Sequence, residues 1–165
     1  MSTHIEGEAE TSMASGSLTV TAALDKLDSV ISMITDELKK RACPTSVLNQ
    51  VSIALEELFV NVCNYAYASK GEPGTCKVSF SFPTPYVLVV ELVDEGIPFN
   101  PLTREDPTRP GSIMDARTGG LGIFMAKKSV DDITYRHEDG RNILTFKKVW
   151  RGSPLAKDRA QNTDE

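Results

Sequence analysis

What this 165-residue sequence has little of narrows the field first. Its three cysteines, Cys43, Cys63 and Cys76, are odd in number and widely spaced. They spell out no disulfide framework and no thiolate metal cluster, and read as reduced thiols of a cytoplasmic protein. Its two histidines, His4 and His137, are too isolated for a His-based metal site. No run reaches the ~18 apolar residues of a membrane span. The opening stretch MSTHIEGEAETSMASGS lacks the basic start and apolar core of a signal peptide. Nor is there a basic excess: 18 Lys and Arg stand against 23 Asp and Glu, a net charge of -5. That balance argues against direct nucleic-acid binding, but not against ATP, whose charge is met largely by backbone N–H groups and a metal ion.

What is there is one domain over residues 17–150, between a disordered N-terminal tail, 1–16, and a frayed C-terminal tail, 151–165. A short β-branched run at 18–21 predicts an edge strand. Leu24, Leu27, Ile31, Ile34 and Leu38 then recur at helical spacing, which fits packing on a sheet better than a coiled-coil seam of two heptads. Pro44 breaks that helix, and Thr45 or Ser46 is placed to cap the next, over 44–67. Its core face carries Val47, Val51, Leu55, Leu58 and Val62. Two strands come next, 75–82 and the more continuously apolar and so more central 86–93, with a turn at 83–85. A long loop, 100–118, precedes a glycine-led helix, and Asp139-Gly140 predicts the turn of a closing hairpin. The order β-α-α-β-β-loop-α-β-β predicts an α+β two-layer sandwich, with a mixed, mostly antiparallel sheet and helices on one face.

Three places could carry chemistry. Glu57 and Asn61 lie one helical turn apart, with Asn64 on the same stripe. A carboxylate can polarise a nucleophile while an amide oxygen ligates a hard cation, though such a pair also suits a solvated helix face. Asn64 fits either a metal's outer shell or a buried amide meeting backbone groups. Asp94 and Gly96 close the central strand: the carboxylate can accept from an exocyclic amine and the glycine admits a flat ring, yet a plain strand-end turn has the same residues. Gly119-Gly120-Leu121-Gly122 can leave helix N-terminal N–H groups free for oxyanions, or can simply start a helix.

Taken in order, ALEELFVNVCNYAY, DEGIPFNP and GGLGIFMAKKSVDDITY resemble the N-box and the two glycine boxes of the bacterial anti-sigma-factor serine/threonine kinases. These belong to the ATP-binding superfamily shared by gyrase and histidine kinases. The resemblance spans residues 18–150 and implies a Bergerat-type fold with a mobile ATP lid at 100–118. It implies Glu57 as general base and Asn61 as ligand of Mg²⁺. Asp94 and Gly96 become contacts of adenine, Gly120, Leu121 and Gly122 contacts of the triphosphate, and Thr145 a further nucleotide contact. Arg104, Arg109 and Arg117 are candidates to stabilise the transferring phosphoryl group. The implied activity is ATP-dependent phosphorylation of an anti-anti-sigma (STAS-type) protein by a kinase that also sequesters a sigma factor, as a homodimer. The alternative is a nucleotide-responsive binding module with little transfer activity. Three departures bear on that choice: Pro98 replaces a second glycine, Val60 a frequent hydroxyl, and Tyr65 a frequent histidine.

Overall fold

The computed structural model describes residues 14–103, 105–106 and 120–151. Strand β1 (Ser15–Thr21) leads through a short 3₁₀ turn, Leu24–Lys26, into helix α1 (Leu27–Lys40) and then helix α2 (Thr45–Asn61). Strands β2 (Thr75–Thr84) and β3 (Val87–Asp94) come next, then helix α3 (Gly120–Ser129) and strands β4 (Asp132–Glu138) and β5 (Arg141–Val149). Residues 15 and 16 are strand, so the N-terminal boundary expected at 16 falls too late; the tails 1–13 and 152–165 lie outside the described residues.

The strands lie in the order β1-β2-β3-β5-β4, and every neighbouring pair is antiparallel. The expected α+β two-layer sandwich is present, but the sheet is antiparallel, not mixed. The two helices between β1 and β2 make three reversals of the chain, an odd number, which leaves β2 antiparallel to β1. The single helix between β3 and β4 leaves those strands parallel, but β5 inserts between them and is antiparallel to both. β3 is central, as its apolar run predicts, and β2 turns irregular between Ser81 and Thr84, where Pro83 cannot donate to the ladder. The hairpin turn therefore falls at 85–86, not 83–85. At the β4–β5 turn Asp139 and Gly140 both adopt positive φ, 51° and 74°, as an Asp-Gly hairpin requires.

α2 lies between α1 and α3 and touches both. It buries Val47, Val51, Ala54, Leu55, Leu58 and Phe59 against the sheet; each large side chain so buried stabilises by roughly 1.5–3 kcal/mol. Its first residue comes directly after Pro44, whose carbonyl accepts from Val47 and Leu48 N–H, and no side chain caps it, so Thr45 and Ser46 are not caps. α1 centres its buried face on Val30, Ile34 and Leu38, while Leu24 stays 58 % exposed; the stripe is rotated from the one expected because the chain enters through the 3₁₀ turn.

Candidate functional site

β3 alternates strictly, sending Leu88, Val90, Leu92 and Asp94 to the helix side. Asp94 is the last of these, a carboxylate 6 % exposed where the apolar core gives out. Its Oδ1 accepts from the Gly96 N–H at 2.9 Å and from Asn142 Nδ2 at 2.8 Å. Asn142 is Asp94's cross-strand partner on β5. The corner is braced on its other side by Tyr67, whose hydroxyl donates to the Thr75 carbonyl and accepts from Glu95 N–H. Burial pushes that phenol's pKa up.

Gly96 proves necessary for a reason other than ligand approach. A Cβ there would strike the Ala66 carbonyl, and Ile97 N–H bonds to that same carbonyl at 2.8 Å. The glycine thus lets the chain leaving β3 press against the end of α2. That end is a π-helical turn, Val62–Ala66, where the sequence predicts an uninterrupted α-helix to 67. Such a turn adds a residue to one helical lap and so rotates the side chains beyond it.

Between this corner and α2 lies a mostly apolar cavity whose polar lining comes from Asn61, Asp94, Tyr135 and Asn142. A second, more open and more polar pocket adjoins it, lined among others by Glu57, Asn61, Asn64, Leu121 and Gly122. Asn61 is a wall of both. Above them the rings of Tyr65 and Phe99 meet with centroids 5.6 Å apart. Glu57 is half-buried; among the described residues no hydrogen bond or ion pair anchors its carboxylate. Burial, and then repulsion from Glu56, raises its pKa above the ordinary carboxylate range. Gly122 abuts it so closely that a Cβ there would strike Glu57 Oε2. The helix that begins at Gly120 therefore delivers its first turn to the carboxylate of α2.

Most of the expected site residues thus converge. Glu57, Asn61, Leu121 and Gly122 share the second pocket, Asn61 and Asp94 the first, and Gly120 opens α3 beside them. Asn64 is exposed at the pocket, which rules out a buried amide. Thr145 does not belong. It is three residues from Asn142 along β5, hence on the opposite sheet face, where it pairs with Glu91 at 3.5 Å. The residue missed was Asn142, a polar side chain at the first inward position of β5, ahead of Leu144 and Phe146. Arg104, Arg109 and Arg117 and most of the expected lid lie outside the described residues. Among the described residues no three His, Cys, Asp or Glu side chains gather to hold a metal. The oxygen donors at the second pocket, one carboxylate and two amides, instead suit an ion that keeps its waters and arrives with phosphates, as Mg²⁺ does.

The profile of the histidine kinase-like ATPase domain matches residues 20–148. The chain belongs to this family. Membership carries ATP binding as the family's shared property. The domain is similar to the serine-protein kinase RsbW of Staphylococcus aureus strain MRSA252, 26 % identical over 106 residues, which cover 62 % of this chain and 66 % of that protein. It is also similar to RsbW of Bacillus mycoides, 25 % identical over 123 residues, covering 68 % and 75 %. The match thus spans about two-thirds of the length of the Staphylococcus relative. In fold it resembles the crystal structure of the RsbU and RsbW domains of a Mycobacterium tuberculosis protein, with a TM-score of 0.60 at 16 % identity, covering 85 % of this chain and 34 % of that one.

Proposed function

We propose that this ATPase domain is an ATP- and Mg²⁺-dependent serine/threonine protein kinase. In this reading it acts as a cytoplasmic, homodimeric anti-sigma factor and phosphorylates an anti-anti-sigma, STAS-type partner. The observation that carries the kinase reading is Glu57: a half-buried, unanchored carboxylate that faces the first turn of α3 in a pocket it shares with Asn61. The base of ATP occupies the cavity at Asp94, with its amine donating to the carboxylate, and the triphosphate runs past Asn61 toward Gly120, Leu121 and Gly122. Asn61 and the phosphates would hold Mg²⁺, which offsets phosphate charge when bound. Glu57 accepts the proton of a seryl or threonyl hydroxyl as its oxygen forms a bond to the γ-phosphorus and the bond to the ADP oxygen breaks. A carboxylate with a raised pKa is a stronger base for this step than an exposed one.

The names of the relatives, serine-protein kinases, support the kinase part of the reading. No helix among the described residues is long and apolar enough to cross a membrane. The test is incubation of the full chain with radiolabelled ATP, Mg²⁺ and the STAS-type partner encoded nearest to it, beside Glu57→Gln. Label on a partner serine or threonine that disappears in the variant, with ATP affinity retained, is the expected result. ATP binding with no Glu57-dependent label would leave a nucleotide-responsive binding module instead.

A further inference from the structure

The Asn142 side chain, 5 % exposed, is the meeting point of four hydrogen bonds. Its Nδ2 donates to Asp94 Oδ1 at 2.8 Å and to the Ile97 carbonyl at 2.9 Å. Its Oδ1 accepts from the Tyr135 hydroxyl at 2.6 Å and from Phe99 N–H at 3.3 Å. These partners fix the amide's orientation. The Ile97 carbonyl can only accept and the Phe99 N–H can only donate, so reversing the amide would set oxygen against oxygen and nitrogen against nitrogen. The Tyr135 hydroxyl is thereby held as a donor. On the other side of the pair, Asp94 Oδ1 takes both Gly96 N–H and Asn142, whereas no donor among the described residues reaches Oδ2.

We infer that Asn142, backed by Tyr135, is the positioning and specificity-determining residue of the base cavity. It pins Asp94 by one carboxylate oxygen and leaves the other to the cavity as an acceptor with no donor of its own. A ring that presents an amine there is accepted; one that presents an oxygen in the same place meets lone pair with lone pair and is refused. Through Ile97 and Phe99 the same amide ties the cavity wall to the carboxylate, so the reader and the wall hold one register. Asn142 acts through Asp94 and needs no contact with the ligand.

This inference rests on the reading of the cavity as a base site, and one set of binding measurements separates the two. Affinities for ATP and for inosine triphosphate, which carries oxygen in place of the amine, are measured by calorimetry for the full chain and for Asp94→Ala, Asn142→Leu and Tyr135→Phe. Expected are a preference for ATP in the unmodified chain, its loss in Asp94→Ala, a fall in the ATP-to-inosine ratio of about 10-fold in Asn142→Leu, and of about 3-fold in Tyr135→Phe, as orientation of a charge-assisted hydrogen bond is lost. A purely structural amide would weaken both nucleotides alike and leave the ratio unchanged; that result, with Asp94 still required, overturns the inference alone. ATP binding indifferent to Asp94→Ala overturns the base-site reading and the inference with it. Should Asn142→Leu fail to fold, the ratio in Tyr135→Phe decides.

Discussion

Two glycine-to-alanine substitutions, at 122 and at 96, should divide cleanly between function and stability. At Gly122 the added methyl meets the far end of Glu57, a flexible side chain that can swing away. Displacing it from its rotamer costs about 0.5–1.5 kcal/mol. Replacing glycine by alanine within a helix returns about 0.5–1 kcal/mol. The two nearly cancel, and for a chain of this size a residue of ~0.5 kcal/mol moves Tm by only about 1–2 °C. Yet the carboxylate no longer sits where it does now, and a general base is worth roughly 10²- to 10⁴-fold in rate. At Gly96 the methyl meets the Ala66 carbonyl, backbone held by its own bond to Ile97, which cannot swing. Overpacking of that kind costs about 1–3 kcal/mol, or roughly 2–12 °C in Tm at 2–4 °C per kcal/mol. The assays are thermal unfolding by circular dichroism and initial rates of label transfer from ATP to the partner protein. Gly122→Ala should unfold within about 2 °C of the unmodified chain while losing at least ~10²-fold in transfer. If it transfers normally, Glu57 is not the base; if it melts as early as Gly96→Ala, the contact is not the yielding one described.

The same geometry sets the direction of other changes. Transfer should fall off on acidification at a higher pH than for an exposed carboxylate, because the base must be ionised and burial raises its pKa; Glu57→Gln should flatten that limb along with the rate. The sign for stability is opposite. A raised folded pKa favours the protonated form, so Glu57's contribution is present below its unfolded value and lost as pH rises through the folded one; Glu57→Gln should therefore melt slightly higher at neutral pH. Asn61→Ala should make ATP affinity indifferent to adding EDTA, where the unmodified chain weakens, as read by calorimetry with and without Mg²⁺. Gly140→Ala, forced to hold φ near +74°, should lose about 1–2 kcal/mol of stability in chemical denaturation with no change in ATP affinity.

Periodicity made the scaffold of this site legible and left its details dark, for physical reasons. Alternation along β3 places Asp94 inward at the end of the sheet, and helical spacing puts Glu57 and Asn61 on one face of α2, because each depends only on local geometry. The expected role of Thr145 fails by parity. A side chain three positions from Asn142 must point to the other face of the sheet, so a register counted from Asp139-Gly140 would have chosen Asn142 instead. The π-helical turn at Val62–Ala66 has no such local marker: nothing in VCNYA favours a wider lap, and its carbonyl at Ala66 takes Ile97 N–H from a distant strand end. Gly96 shows the same dependence, since the residue type signals a close approach without saying to what. Its partner proves to be α2's own backbone. The site is thus assembled where α2, the β3 corner and β5 are pressed together: the Gly96 N–H that Asp94 accepts is local, but the bonds that tie Asn142 to Asp94 and to Phe99 join residues 43 or more apart in the chain.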